Sequence, residues 1–453
     1  MGRLHQLVQT LSDLSLDCEY WDVRVEDSFE TSIDLVDGEP VTCTSSPSLG
    51  AFLRVRKNGF WLYESTTDVE NIKSSLTAMS QLNPLGGSSQ KYTLEKIEPF
   101  ARVESAHQRF SAVSLNEKLE IMKSYFQTLK SDKLVTATNL TYRDLYKVKS
   151  FYSSVGNRFE YDFNQGGVKL SYTLREGANI FDDRLFFYGS RFADLRGHER
   201  TLQIALEESK KFLTAPSVNP GKYKVLLDPE VAGVFTHESF GHKSEADFML
   251  GDKKALEDWK IGSKVASEIL SIVDYGGHRG TSGYCPIDDD GVLAKKNYLI
   301  KDGVLAGRLH SIDTAIELAE KPTGNSRAMN FEYEPIVRMT STYIEPGTES
   351  LDSILEKSEG AILVKGVRHG SGLSTFTIAP TRGYMIGKGG ERIPVRLSVI
   401  SGNVFETLKS IEAVSSDFHL HSSAIGGCGK MDQWPLPVAD GGPYVLVNEM
   451  QVS

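Results

Sequence analysis

A chain of 453 residues is too long for one ordinary hydrophobic core, and its 40% hydrophobic and 24% charged residues are those of a globular protein. A formal net charge of -10 argues against partners that demand a basic surface, namely nucleic acid and anionic membrane. No stretch approaches the roughly 20 uninterrupted apolar residues that span a bilayer.

The opening Met1-Gly2-Arg3-Leu4-His5-Gln6 lacks a secretory apolar region. Gly2 would suit myristoylation, but Gln6 stands where Ser or Thr is favoured. Leu4, Leu7, Val8, Leu11 and Leu14 recur at helical spacing, which predicts a helix over 3–16. Alternating runs follow at Trp21–Glu26, Thr31–Val36 and Ala51–Arg56, and Lys57-Asn58-Gly59 predicts a hairpin turn into Phe60–Tyr63. Helices are expected over 68–82 and over 115–130, the second started by a capping box of Ser114 and Glu117. Residues 134–176 read as long strands folded back on themselves, with Asn164-Gln165-Gly166-Gly167 as a turn, and Glu199–Leu213 as a further helix. The run Thr214 to Gly221, with two prolines, is the clearest break in composition.

The second half opens with a strand over Tyr223–Leu227 and a helix whose start is well marked. Asp228 suits the N-cap, Pro229 the first turn and Glu230 the positive end of the helix dipole. Beyond residue 260 short alternating runs are punctuated by Gly, Asp and Pro, as in an antiparallel sheet. The expected fold class is therefore α+β in two domains. An N-terminal mixed α/β domain covers 1–215, and a C-terminal, mainly antiparallel β domain covers 216–453 and carries the helix with His237. Cys18, Cys43, Cys285 and Cys428 form no CxxC pair, a usage that points to a reducing compartment, the cytoplasm.

A metal-activated hydrolase needs neutral imidazoles to hold the ion, an open coordination position and a carboxylate to take a proton from water. His237, Glu238 and His242 supply that set within six residues, in His237-Glu238-Ser239-Phe240-Gly241-His242. Chance would produce this HExxxH pattern about 0.03 times in such a chain. On a regular helix, five residues leave the imidazoles roughly 140° apart, unable to share one ion. A π-type turn or a helix end near Gly241 is therefore expected. Spacing leaves three candidates for the third ligand, Cys428 between glycines and Glu245 or Asp247 just past His242.

These residues resemble the TldD/PmbA family of metallopeptidases, and the resemblance covers nearly the whole chain. Besides HExxxH, Glu245 and Asp247, it is carried by Asp288-Asp289-Asp290-Gly291, Thr323-Gly324-Asn325-Ser326-Arg327 and Arg338-Met339-Thr340-Ser341-Thr342-Tyr343. Gly427-Cys428-Gly429-Lys430 and Val438-Ala439-Asp440-Gly441-Gly442-Pro443 carry it at the C-terminal end. The resemblance implies one zinc ion held by His237, His242 and Cys428, with Glu238 as general base. It also implies a homodimer, or a heterodimer with an inactive paralogous subunit. After His242 the chain reads Lys243-Ser244-Glu245-Ala246-Asp247, where many members have glycines at 243 and 246.

The expected function is zinc-dependent hydrolysis of short or unfolded peptides. The edge Gly370–Phe376 is a candidate for strand addition, and Glu245, His369, Gly370 and Ser371 are candidates for substrate or supporting contacts. The alternative is a non-catalytic subunit or peptide-binding module whose metal is structural. Asp288-Asp289-Asp290-Gly291 lacks the ligand spacing of a calcium loop and reads as a solvated turn. Lys388-Gly389-Gly390-Glu391 reads as a hairpin turn, and His419 and His421 as exposed groups near Cys428.

Overall fold

The computed structural model describes residues 3–85, 92–103, 109–372 and 374–453, so the Met1-Gly2 start and Leu373 of the candidate edge lie outside it. In the first half, α1 (Arg3–Leu11) precedes β1 (Tyr20–Val36), β2 (Glu39–Lys57) and β3 (Phe60–Thr66). Then come α2 (Ile72–Gln81), β4 (Phe100–Arg102), α3 (Leu115–Lys130), β5 (Val135–Ser153), β6 (Arg158–Glu176), β7 (Asn179–Gly189) and α4 (Glu199–Lys210). The strands form one sheet in the order β3-β2-β1-β5-β6-β4, with β7 also on β6. Two alternating runs expected separately, 21–26 and 31–36, are one strand, because no Gly or Pro interrupts them. Its turn into β2 falls on Asp37 and Gly38, both at positive φ. The Asn58-Gly59 hairpin and the Ser114–Glu117 capping box form as expected.

One expected turn is absent. Asn164 to Gly167 lies in the middle of β6, and the chain reverses instead at Ser154–Asn157, where Gly156 has φ 85°. The glycine pair serves packing. A Cβ on Gly166 would lie 2.4 Å from the Phe110 ring, and one on Gly167 would lie 3.2 Å from the Ala424 Cβ. Two glycines inside a strand mark a close approach as readily as a reversal.

The second half starts with β8 (Gly221–Leu227) and α5 (Pro229–Thr236). Strand β8 pairs with Val445–Val452, and this strand with Ile400–Asn403. The ring of pairings continues through Thr375–Ile386 and Ile362–Gly372 and returns to β8. It encloses an apolar core built on Val225, Leu227, Phe235, Ile362, Phe376 and Val445. A second sheet runs through Asn297–Lys301, Ile272–Asp274, Ser341–Ile344, Ala439–Gly442 and His419–Ser422. Pairing in both sheets is antiparallel except between Ile362–Val364 and β8 and between Ser341–Tyr343 and Ala439–Gly441. The whole is a mixed α/β architecture dominated by strands. Among the described residues no helix is long and apolar enough to cross a membrane.

The two halves share core and charge. Leu226, Leu363, Tyr384 and Ile386 pack into the same apolar cluster as Tyr125 of α3 and Leu202 and Leu206 of α4. On β1 the odd residues Trp21, Val23 and Val25 face Leu7, Leu11 and Leu76 of the helices. The even residues Asp22, Arg24 and Glu26 are also buried, facing the second half. There they meet Asp288-Asp289-Asp290, which is not the solvated turn expected: all three are buried, at 0%, 1% and 3% exposure.

The Asp288 carboxylate accepts from the backbone N–H groups of Asp290, Val292 and Ser326 and so shapes the loop. Asp289 pairs with Lys149 and, at 3.2 Å, with Arg24; Asp290 pairs at 2.6 Å with Arg54, which also holds Asp22 at 2.6 Å. A run of acids reads as hydrated only while the cations that meet it, more than 130 residues away, are out of view.

Burial alone would raise the Asp289 carboxyl, but Arg24 and Lys149 outweigh it and hold it well below the usual carboxylate range. A depressed carboxylate contributes stability above its unfolded-state value, about 3.9, and loses it as pH falls through the lower folded value. Asp289→Asn should thus lower the unfolding free energy at pH 7 by about 3–5 kcal/mol, the cost of breaking a buried pair. Urea titrations should show the gap to wild type narrowing below about pH 4. A gap that is absent at pH 7 or widens in acid would contradict this assignment.

Candidate metal centre

Helix α5 begins as its sequence dictates. Asp228 accepts from the Val231 N–H at 2.9 Å, and Pro229 occupies the first turn. The helix stays α-helical to Thr236 and then widens: His237–Gly241 is a π-helical turn, with the His242 N–H bonded to the His237 carbonyl five residues back. That hydrogen bond stacks residues five apart above one another. The two rings consequently meet with centroids 5.1 Å apart and planes at 83°. Gly241 has an ordinary helical backbone, φ -56° and ψ -53°, so its conformational freedom is not what permits the turn. It is needed for room, since a Cβ there would lie 2.0 Å from the Met339 sulfur.

Cys428 reaches the same point from the hairpin of Cys428–Lys430 and Gln433–Leu436. Its Sγ lies 3.5 Å from His242 Nε2. The ligand atoms of His237, His242 and Cys428 lie within 4.8 Å of one another, close enough to surround one ion. Gly427 lets the hairpin close, because a Cβ there would meet the Leu436 carbonyl oxygen at 2.5 Å. Fully buried Arg338 donates at 2.7 Å to the Cys428 carbonyl and so pins the thiol's backbone.

The electrostatics suit a cation. Burial would raise the Cys428 thiol, but the His237 and His242 imidazoles outweigh it and hold the thiol well below its ordinary range. Burial works the other way on His242, where hydrogen bonds to Cys428 and Glu245 prevail and lift the imidazole to about 10. His237 is raised as well, against its burial, chiefly by Cys428. A thiolate between two imidazoles is a donor set that zinc takes readily.

Glu238 follows His237 and is half-buried, on the side where Ile362–Gly372 crosses the turn. A Cβ on Gly370 would lie 3.5 Å from Glu238 Cγ, and one on Gly372 would lie 3.1 Å from the Glu238 carbonyl oxygen. Strand alternation therefore puts positions 370 and 372 against Glu238 and turns His369 and Ser371, both exposed, to the other face. His369 belongs to a strand and not a loop, and it points away from Glu238. Phe376 has both edges taken, by Gly372 and Gly402, and Thr375 pairs with Asn403. From Gly366 to Gly372 the outer edge has no strand partner among the described residues.

Comparison with known proteins identifies the family of the chain. The profile of the PmbA/TldA metallopeptidase C-terminal domain matches residues 220–453, and that of PmbA/TldA metallopeptidase domain 1 matches 21–81. A metalloprotease of Synechocystis sp. is 34% identical over 96% of this chain and 95% of its own. The zinc metalloprotease TldD homolog of Saccharolobus solfataricus is 31% identical over 70% of this chain and 72% of its own. Among solved structures, TldE from Thermococcus kodakarensis superposes with a TM-score of 0.77 over 100% of both chains at 17% identity, a likeness of fold.

Two supporting residues escaped sequence reasoning. One is Arg338; the other is Lys430, two residues beyond Cys428 and therefore on the same face of its strand. Lys430 is buried, with Glu245 at 3.1 Å, Asp247 at 2.7 Å and the Val337 carbonyl at 2.8 Å. Glu245 in turn lies 3.3 Å from His242 Nδ1, across the ring from the nitrogen that faces Cys428. Burial would raise Glu245, but His242 and Lys430 outweigh it and lower it. Lys430→Met should leave buried Glu245 and half-buried Asp247 without their shared lysine, at about 3 kcal/mol measured by urea unfolding of the zinc-free protein. Adding Asp247→Asn should recover part of that loss, and an unchanged unfolding midpoint would sink the idea.

Proposed function

The chain belongs to the PmbA/TldA metallopeptidase family, and from that premise we propose that it is a zinc-dependent peptidase acting on short or unfolded peptides in the cytoplasm. The observation that carries the reading is the convergence of His237, His242 and Cys428 beside Glu238. In this reading those three residues are the zinc ligands, one ion per chain, and residues 216–453 form the peptidase domain against residues 1–215. Zinc bound there would supply Lewis acidity, polarising the peptide carbonyl and making water easier to deprotonate. Glu238 takes the proton from water and passes it to the leaving amine. An extended peptide adds as a strand along Gly366–Gly372, its main-chain bonds holding it whatever its side chains. Gly370 and Gly372 let that edge lie directly on the turn, where a Cβ would come within 2.6 Å of Val234 Cγ1 and 3.1 Å of the Glu238 carbonyl oxygen.

A closed structural site, the other reading of these ligands, would need a fourth protein donor. Glu245 lies on the Nδ1 side of His242, away from the thiol, and Asp247 is held by Lys430. Both arrangements favour a site with an open position. The four cysteines are free thiols, which supports the cytoplasmic assignment.

Glu238→Ala should retain zinc and lose about 10²–10⁴-fold in peptide hydrolysis, whereas His242→Ala and Cys428→Ala should lose the metal. Full zinc occupancy in either ligand variant would refute the ligand set. Unchanged turnover in Glu238→Ala would give the base role to another group. We also propose assembly as a homodimer or with a paralogous subunit, consistent with a TldE among the proteins of like fold. Light scattering of the chain alone at micromolar concentration should report twice the chain mass, and a heterodimer should form on adding the paralogue. Monomer under both conditions would rule the assembly out.

A further inference from the structure

A metal-bound imidazole almost always donates its second N–H to a carboxylate, a carbonyl or water, which fixes its tautomer and aim. His242 has such a partner in Glu245. His237 Nδ1 is buried and has no hydrogen-bond partner among the described residues. A second orphan lies close by. Asp440 Oδ1, on the strand Ala439–Gly442, is likewise buried without a hydrogen-bond partner among the described residues.

Gly233 brings Asp440 up to the helix, although no ion pair within 4.0 Å joins its carboxylate to the His237 ring. It sits one turn before His237 on α5, and its carbonyl accepts the His237 N–H. A Cβ at 233 would lie 2.6 Å from Asp440 Oδ1 and 2.3 Å from the Gly441 nitrogen, so only glycine lets this strand settle on the helix. The notch thus holds a carboxylate oxygen in place of a side chain. Residues four apart on a helix have Cβ atoms about 5–6 Å apart, and their side chains lean toward the N-terminus. A His237 side chain that leans this way faces the notch that Asp440 Oδ1 occupies.

Other charges face the same carboxylate. His421 Nδ1 lies 3.9 Å from Asp440 Oδ1, beyond hydrogen-bond reach, and sits directly opposite Asp440 across the strand pair. Burial raises the Asp440 carboxyl, with His421 and His237 opposing and Glu230 and Glu238 adding to the rise.

We propose that Asp440 is a positioning residue for His237, closing on it when the metal binds so as to accept its Nδ1–H and leave Nε2 for the ion, as Glu245 already stands beside His242. The proposal rests on the reading of His237 as a zinc ligand. It gives each imidazole its own carboxylate, one from the segment just after the π-helical turn and one from the far C-terminal strand. Ligation through Nδ1 itself would leave Asp440 without this role.

The test is zinc affinity of the full chain, measured by competition with a chromogenic chelator, together with the visible spectrum of the cobalt-substituted protein. Asp440→Asn keeps shape and removes charge. It should weaken zinc binding about 10–100-fold and shift the cobalt bands. Asp440→Ala, which removes the carboxylate and leaves the backbone seat at Gly233 intact, should do the same and serves if Asp440→Asn does not fold. His421→Ala should bind zinc as wild type does. Wild-type affinity and spectrum in both Asp440→Asn and Asp440→Ala would overturn the proposal. So would a His421→Ala variant that reproduces the loss, since Asp440 would then act through His421. A wild-type chain that binds no zinc would instead refute the metal site itself.

Discussion

Everything at the metal centre depends on one backbone hydrogen bond, from the His242 N–H to the His237 carbonyl. Two imidazoles five residues apart cannot face one ion from an α-helix, and lengthening a single turn by one residue removes the conflict. The price is a local one: the wider turn leaves the α-helical ladder just where α5 ends, and its surroundings must hold it. Met339 packs into the space above Gly241, and the strand Ile362–Gly372 lies along Glu238. Sheet and loop are arranged around an irregularity that the sequence spacing demands.

How much of this could be read from the chain alone followed from how local each signal is. The π-helical turn was deducible because spacing and helix geometry are both local facts, and the Asp228-Pro229-Glu230 start was deducible for the same reason. Cys428 was not: 186 residues separate it from His242, and spacing left it level with Glu245 and Asp247. Only resemblance singled it out. Glu245 and Lys430 show the same limit from another side, since a buried lysine between two carboxylates looks in sequence like ordinary surface charge. Gly166 and Gly167 misled for a related reason, because a glycine that admits Phe110 is indistinguishable from one that turns the chain.

The largest misreading concerned charge. Asp288-Asp289-Asp290 carries the features of a hydrated turn, yet it is the meeting point of the two halves. Burying an ionic cluster is costly unless each group finds its partner, so such a contact adds selectivity of fit more than net stability. Here Arg24 and Lys149 both meet Asp289 and Arg54 meets Asp290, while the Asp288 carboxylate accepts from backbone N–H groups and holds the loop's shape. A sheet shifted by two residues would set like charges against each other.

The shared apolar cluster that joins Tyr125, Leu202 and Leu206 to Leu226, Leu363 and Tyr384 carries a consequence for access. Parting the halves would expose that cluster and strand the ions beside it, so the first half is not a hinged lid. In the proposed peptidase reading, a substrate would reach Glu238 along the rim of Gly366–Gly372, which has no strand partner among the described residues and whose Gly366 and Val367 N–H groups are held by Asp228 and Glu230. A fixed entrance of that kind would, in the same reading, work as a sieve by chain flexibility: a slack polypeptide could thread to the site, and a compact domain of any sequence would be turned away.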